Sequence, residues 1–187
     1  MKNLKHLLLL TTLLFFQVSL AQYQNKPWSF SSSTNIVNLV GDNVEEGINF
    51  GGPAFGLSRY LANGFSIGSQ ISIGNVTNFD ESCVYSSVDG FLKLNLVQGN
   101  VIPYLIGGYG FSLFSDGVKR KGFFPSSETS RTIFGGIGLG FYLSESVSIN
   151  LQSTYRTMNE NDGFDHFQNF VGIAYGFGSG DTDKDGV

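Results

Sequence analysis

The chain has 187 residues, which fits one domain with at most a short appendage. Its 11 Lys and Arg residues against 15 Asp and Glu give a net charge of −4, which argues against nucleic acid as a partner because no basic face can gather phosphates. Only 14% of residues are charged, which excludes a disordered chain, and the single cysteine excludes an intrachain disulfide. The chain combines 25 Gly with 18 Phe and 8 Tyr at near-zero mean hydropathy, a mixture typical of a small membrane barrel.

The N-terminus has the pattern of an export signal. Two lysines and a histidine within the first six residues precede an apolar run over 7–16, and the small residues Ser19 and Ala21 follow. This pattern predicts a signal peptide over 1–21 with cleavage after Ala21, which leaves 9 basic and 15 acidic residues and a charge of −6. The apolar run is short for a bilayer span, so an uncleaved anchor is the weaker alternative.

The mature chain alternates apolar with small or polar residues in eight segments. The third segment shows the period of two best, because Phe65, Ile67, Ile71 and Ile73 alternate with Ser, Gly and Gln. The eight segments are 28–39, 50–61, 65–74, 88–96, 102–114, 129–143, 147–156 and 166–177. Their length is about that of a tilted membrane-spanning strand, roughly 9–11 residues, and no apolar stretch after Ala21 is long enough for a transmembrane helix.

The connections between these segments alternate between short and long. Short turns are predicted at 62–64, 97–100 and 144–146, and longer connections at 40–49, 75–83, 115–128 and 158–165. Outer-membrane barrels have short periplasmic turns and long outer loops, so the pattern predicts an all-β, eight-stranded antiparallel up-and-down transmembrane barrel over 22–178. With an even number of strands, both termini are expected in the periplasm.

The solvent decides which face points inward. In lipid the Leu, Ile, Phe and Tyr face is expected to point outward, and the Gly, Ser, Gln and Asn face into a lumen too narrow for a channel. We predict an interior polar network of Asp89, Lys93, Gln70, Gln152 and Arg156, with Asp89 and Lys93 as coupled partners. A polar plug is the favoured interpretation, and a gated pore is the alternative.

Glycine and aromatic positions carry two further expectations. The glycines at 107, 108, 110, 135, 136, 138 and 140 are expected to relieve crowding in a narrow barrel. A periplasmic-side aromatic girdle is expected from some of Trp28, Phe30, Tyr60, Tyr104, Phe141, Tyr142, Tyr175 and Phe177. Arg59 interrupts the outward apolar face near a predicted turn, where its long side chain can reach the headgroups.

With its signal, its eight amphipathic segments, the run Ile102–Gly110 and the final Tyr175–Phe177, the chain resembles the OmpA-type or porin-family eight-stranded outer-membrane barrels over 28–178. This resemblance is specific for architecture and implies the Gram-negative cell outer membrane, with membrane lipid and lipopolysaccharide as partners. It implies no enzymatic activity.

The tail over 179–187 carries a second resemblance. Asp181, Asp183 and Asp185, followed by Gly186, resemble the first unit of the Asp-rich, thrombospondin type 3-like calcium linker of Bacteroidetes-type barrel proteins. That resemblance implies a peptidoglycan-binding domain beyond such a linker, and calcium as a ligand only if the linker continues. A complete calcium loop needs further ligands, so we expect no cofactor and no tight calcium binding by residues 181–187 alone.

Few residues of the sequence are candidates for catalysis, disulfide formation or ligand binding. His166, beside Asp165, is expected to be a solvated rim histidine, because the His-x-Ser type of pattern used by omptin-like proteases and lipid A deacylases is missing. Cys83 is expected to be an inert loop thiol, with an intermolecular disulfide as the alternative. The basic run Lys119–Lys121 is expected to be a solvated loop, with lipopolysaccharide phosphates as the alternative contact.

The leading function is therefore a structural outer-membrane barrel that acts as an envelope anchor or surface module. A small-solute porin and an adhesin or ligand-binding protein acting through its outer loops are the alternatives. A soluble lipocalin-like barrel is the alternative fold, but it would place its large apolar residues inward and needs no alternation of loop lengths.

Overall fold

The structure of the chain, a computed structural model, describes residues 26–41, 44, 47–79, 81–115, 130–158 and 164–178, with the backbone alone at 81 and 115. The predicted signal peptide, the tail with Asp181, Asp183 and Asp185, and the basic run 119–121 lie outside the described residues. Within the described ranges, no helix has the length and apolar character needed to span a membrane.

The described chain forms one closed antiparallel barrel. Its strands are β1 (Trp28–Leu39), β2 (Asn49–Ala62), β3 (Phe65–Asn78), β4 (Glu81–Asn95), β5 (Val101–Ser115), β6 (Ser130–Tyr142), β7 (Val147–Met158) and β8 (His166–Phe177). Each strand pairs with the next, and β8 pairs back onto β1 from Trp28–Phe177 to Leu39–His166, which closes the sheet. The predicted strand number and eight-stranded topology are confirmed.

The two ends of the barrel differ in their connections. One end, called the turn end, carries the short links β2–β3, β4–β5 and β6–β7. At the first of these, Asn63 and Gly64 have φ values of 51° and 85°, which is the left-handed backbone that a two-residue hairpin turn requires. The other end, called the loop end, carries the links β1–β2, β3–β4, β5–β6 and β7–β8.

The β3–β4 link departs from the predicted alternation. We expected a long connection over 75–83, but β3 and β4 stay paired as far as Asn78–Glu81, so only residues 79 and 80 connect them. The alternation of inward and outward side chains continues into this segment, since Val76 and Cys83 face the lumen while Val84 faces outward. Cys83 is therefore a buried lumen residue at 3% exposure, and its prediction as a loop thiol is wrong.

The outer surface of the barrel is apolar, as predicted. Ile67, Ile71 and Ile73 of β3 are 49%, 48% and 53% exposed although β3 is paired with a neighbouring strand on both sides. Arg59 also points outward near the turn end, where its guanidinium lies 5.4 Å from the centre of the Trp28 ring. In a soluble protein such a belt would be an aggregation hazard, whereas hydrocarbon is a fitting solvent for it.

The inner surface contains more apolar side chains than expected. On β5, Ile102, Tyr104, Ile106 and Phe114 all face the lumen and are at most 6% exposed. The expectation that Leu, Ile, Phe and Tyr form the outward face is therefore wrong for these positions of β5, and so is the girdle role considered for Tyr104. Trp28, Phe30, Tyr175 and Phe177 are exposed near the turn end and satisfy the girdle expectation.

Only some of the glycines relieve crowding. A Cβ on the inward Gly136 would overlap the Ser153 carbonyl oxygen and lie 2.7 Å from the Cα of Thr154, so this position needs glycine. A Cβ on its outward neighbour Gly135 would meet no atom within 4 Å. The crowding expected at all seven glycines therefore does not hold at Gly135.

The outward orientation of β3 predicts different costs of a charge along the strand. Ile71→Arg, near the middle of β3, should destabilise the folded protein in lipid vesicles by about 2–4 kcal/mol, because it exposes a guanidinium to hydrocarbon. Phe65→Arg at the turn end should cost no more than about 1 kcal/mol, since the side chain can reach the interface. Reversible denaturant unfolding in vesicles measures both, and equal costs would contradict the orientation.

The difference between Gly136 and Gly135 gives a second test of the fold. Gly136→Ala should destabilise the barrel by about 1–3 kcal/mol, because the added methyl group meets the β7 backbone. Gly135→Ala is the matched control and should be neutral or stabilising by roughly 0.5–1 kcal/mol, since glycine is a poor strand residue. Denaturant unfolding of both variants measures the difference, and equal stability would refute the crowding at Gly136.

Candidate functional site in the barrel lumen

The loop end of the lumen is filled by an apolar layer. It consists of Val37, Leu39, Val76, Cys83, Tyr85 and Phe114, with Val44, Met158 and Phe164 packed against it. The Tyr85 and Phe114 rings pack with their centres 4.9 Å apart. Every buried member of this layer is at most 8% exposed, so it closes the lumen towards the loop end.

His166 belongs to this buried region and not to a solvated rim. It is 0% exposed, and its two ring nitrogens lie 3.1 Å from the Tyr85 hydroxyl and 2.9 Å from the Phe164 carbonyl oxygen. The ring also makes an edge contact with Phe114. The expected solvent exposure of His166 is therefore wrong, because β8 begins at this residue and directs its side chain inward.

A buried ion pair lies below the apolar layer. Arg156 donates from Nη2 to Oδ2 of Asp89, and from Nη1 to Oδ1 of Asp89 at 3.1 Å, while both side chains are 1% exposed. The guanidinium also lies over the Phe134 ring, 4.5 Å from its centre. Asp89 and Arg156 are thus part of the predicted interior network, but the predicted coupling of Asp89 with Lys93 is wrong, since Arg156 occupies both carboxylate oxygens.

Neutral side chains extend this polar layer across the lumen. Ser87 donates to Oδ2 of Asp89 at 3.1 Å, and Arg156 Nη1 lies 3.5 Å from the Ser112 hydroxyl oxygen. On the opposite wall, Gln168 donates to Ser72 at 2.8 Å and to Asn35 at 3.0 Å. The layer therefore joins side chains from β1, β3, β4, β5, β7 and β8, and a buried charge pair with such partners is tolerated.

Lys93 lies nearer the turn end, separated from the ion pair by the aromatic rings of Phe91, Tyr104 and Phe134 and by Ile106, together called the aromatic layer. Its ammonium lies 4.8 Å from the centre of the Tyr104 ring. The Tyr104 hydroxyl in turn lies 3.3 Å from Oε1 of Gln152. Gln152 and Lys93 are therefore linked through Tyr104, in a part of the lumen distinct from Asp89.

Two small cavities adjoin Lys93. One has a volume of about 60 Å³ and is lined by Gln70, Gln152 and Tyr104 among others, and the second has a volume of about 30 Å³ and reaches Lys26 at the turn end. Both are lined by Lys93, Ser29 and Ser58. We call the two cavities together the vestibule. It has room for several water molecules, and the aromatic layer and ion pair separate it from the loop end.

The predicted network residues thus fall into two groups. Asp89 and Arg156 form the ion pair, and Lys93, Gln70 and Gln152 line the vestibule. Sequence reasoning missed Tyr85 and Tyr104 as lumen residues, since Tyr85 lies before the predicted fourth segment and Tyr104 was considered for the outward girdle. Their signal was available in the period of two, because Tyr85 is in phase with Asp89, and Tyr104 is in phase with Ser112.

The described residues do not bring together the side chains that a metal site needs. Across the residues that the structure describes, no group of three or more His, Cys, Asp or Glu side chains is placed to hold a metal ion. The candidate calcium residues Asp181, Asp183 and Asp185 lie outside the described residues, so their prediction stays a prediction.

Comparison of the whole chain with known proteins supports the architecture. No protein-family model matches the sequence, and a search of curated proteins finds no significant relative. Among solved structures, the chain is similar to the outer membrane protein OprG of Pseudomonas aeruginosa, with a TM-score of 0.61, 12% identity, and coverage of 83% of this chain and 99% of that one. It is similar to Neisserial surface protein A, with a TM-score of 0.60, 15% identity, and coverage of 80% and 97%.

A third similar structure is the outer membrane enzyme PagL, with a TM-score of 0.51, 15% identity, and coverage of 77% of this chain and 97% of that one. At these identities the comparisons establish a shared fold alone. This chain has the closed eight-stranded β-barrel fold of outer-membrane proteins, and that fold carries more than one activity.

The ion pair predicts strong coupling between Asp89 and Arg156. Asp89→Asn or Arg156→Met alone should destabilise the barrel by about 3–5 kcal/mol, because each leaves a buried charge without its partner. The double variant should lose less than the sum of the two single changes. Denaturant unfolding in vesicles gives the coupling energy.

The matched control is a second double-mutant cycle, in which Asp89 is combined with Lys93. Asp89→Asn and Lys93→Met should act additively within about 0.5 kcal/mol, because the two residues share no contact. Additivity in the Asp89 and Arg156 cycle would contradict the ion pair, and coupling with Lys93 would restore the pairing predicted from sequence.

Proposed function

We propose that this protein is exported to the Gram-negative outer membrane and serves there as a structural barrel, an envelope anchor or surface module whose lumen does not conduct solutes. The proposal places the turn end and both termini in the periplasm. The shared fold with outer-membrane proteins and the exposed apolar belt support the location. The N-terminal signal pattern supports export.

The observation that carries the proposal is the filled lumen. The apolar layer occupies the loop end, and the Asp89–Arg156 pair and its partners occupy the middle. The turn side contains the vestibule, with cavities of about 60 and 30 Å³. A diffusion pore needs a continuous aqueous path, and eight strands enclose room only for side chains or one small ligand. The filled lumen therefore disfavours the porin alternative.

The chemistry of the described residues supports a non-enzymatic role. His166, the one histidine of the mature chain, is enclosed between Tyr85, Phe114 and the Phe164 carbonyl group, and no substrate can reach it without disruption of the apolar layer. Cys83 is buried in the same layer. Neither residue is accessible as a nucleophile or general base.

The proposed binding partners of the protein follow from its proposed place in the outer membrane. The belt would contact membrane lipid, and the outer loops would meet lipopolysaccharide and any surface ligand. If the encoded chain continues beyond Asp181, Asp183 and Asp185, a calcium-binding linker and a peptidoglycan-binding domain would make the barrel a membrane anchor for a cell-wall tether. The sequence resemblance of the tail supports this extension.

The closed lumen predicts that the protein does not conduct ions across a bilayer. The purified full chain, inserted into planar bilayers, should give no stable ion current, because the apolar layer and the ion pair leave no continuous water column. A general porin inserted under the same conditions is the positive control. Reproducible open events of the full chain would contradict the proposed closed barrel and support the porin alternative.

A companion experiment separates the barrel from its loops. Deletion of the gene should raise sensitivity of the bacterium to detergents, and the full chain should restore resistance. A variant with a short Gly-Ser turn in place of residues 117–128 should restore it equally, since this change leaves the eight strands intact. Restoration by the full chain but not by the folded loop variant would favour a surface-binding function.

A further inference from the structure

The described lumen contains more positive than negative charge. Its inward-facing charged side chains are Asp89, Lys93 and Arg156. The Asp89 carboxylate is occupied on both oxygens by Arg156 and receives a further hydrogen bond from Ser87. No described carboxylate is therefore available to Lys93, and the only salt bridge found among the described residues is the Asp89–Arg156 pair.

Lys93 also has no hydrogen-bond acceptor in the described part of the chain. Its one contact of note is with the face of the Tyr104 ring, 4.8 Å from the ring centre. An ammonium group has three N–H donors, and an aromatic face satisfies only part of its need for negative charge. A charged group held in a narrow lumen needs a counter-charge or hydration, and the vestibule is where either would lie.

The neighbouring groups include several side chains that can donate hydrogen bonds into the vestibule. Ser29 and Ser58 line both cavities, and their hydroxyls have no hydrogen-bond partner among the described residues. Gln152 accepts from Tyr104 through Oε1, which leaves its amide N–H groups free to donate. Lys26, at the mouth of the second cavity, donates to the Ser146 hydroxyl and adds a second positive charge. Hydroxyl and amide donors around an unpaired ammonium group favour a ligand that accepts hydrogen bonds and carries negative charge.

We propose that the vestibule binds a small inorganic anion, of the class that runs from chloride to phosphate, against the Lys93 ammonium. The cavities of about 60 and 30 Å³ admit an anion of this size but no lipid or sugar. The anion enters from the turn end, because the aromatic layer and the ion pair close the other side. This site is separate from the structural role proposed above and does not depend on it.

Chloride NMR on the full chain in detergent micelles tests the proposal. The chloride line should broaden in the presence of the folded protein beyond the broadening caused by empty micelles. Added phosphate at constant ionic strength should narrow the line by displacement. Gluconate, which is too large for the vestibule, should leave the line unchanged and serves as the ionic-strength control.

Two variants locate the site. Lys93→Met keeps the length of the side chain and removes its charge, and it should weaken chloride binding about tenfold or more, because a hydrogen bond to a charged group is lost. Arg59→Met removes a positive charge from the outer surface at the same end of the barrel, and it should leave the chloride affinity unchanged. The mobility shift of the folded barrel on heating, in detergent gels, verifies that each variant is folded.

Several results would overturn the proposal. The first is that folded wild-type protein does not broaden the chloride line beyond the micelle control. The second is that gluconate reverses the broadening as well as phosphate does. The third is that the Lys93→Met variant still binds chloride with the wild-type affinity. If Lys93→Met does not fold, the effects of phosphate and gluconate on the chloride line of the wild-type chain still test the proposal. Equal effects of the two anions there would mean that water alone occupies the vestibule.

Discussion

Closure of the sheet is the constraint on which the rest of the structure depends. Backbone N–H and C=O groups surrounded by hydrocarbon must pair within the protein, and a sheet with a free edge leaves a row of them unpaired. The pairing of β8 with β1 along the whole of both strands removes that edge. Eight strands then enclose a lumen only as wide as the side chains that fill it, so the interior of this protein is a packed core.

That core is unusual because it must be built largely from the small and polar residues that alternate with the lipid-facing ones. Charge burial is then acceptable only with a partner, and Asp89 and Arg156 meet this condition with hydrogen bonds from their surroundings. The apolar residues of β5 supply the remaining volume. An ion pair flanked by apolar and aromatic layers therefore closes the lumen, and it also explains why His166 has no access to solvent.

Function in this fold depends on details that the barrel itself does not specify. The same architecture is found in an outer membrane enzyme and in a surface protein, so the chemistry has to come from individual side chains. In this chain the described charges in the middle of the lumen, Asp89 and Arg156, pair with each other, while Lys93 has no counter-charge among the described residues. The contrast between a charge-neutral ion pair and an ammonium group without a counter-charge separates a structural region of the lumen from one that can bind a ligand.

The sequence by itself determined the strands, the barrel and the orientation of β3. These follow from local rules, because a period of two and tight turns such as Asn63–Gly64 act between residues that are close in the chain. It did not determine that β3 and β4 continue to Asn78 and Glu81, because Asn75, Thr77 and Ser82 point outward there and break the apolar-outward pattern from which the strands were predicted.

Only the tertiary structure decided the partner of Asp89. Asp89 and Lys93 lie on one face of β4, which made them appear to be partners, but Arg156 reaches Asp89 from β7, 67 positions away. Which side chains meet across a lumen depends on the stagger of all eight strands around the barrel, and no single strand contains that information. The same reason applies to Tyr104, since an inward position can hold a large side chain where the neighbouring strand leaves room for it, as Gly138 of β6 does beside the Tyr104 ring.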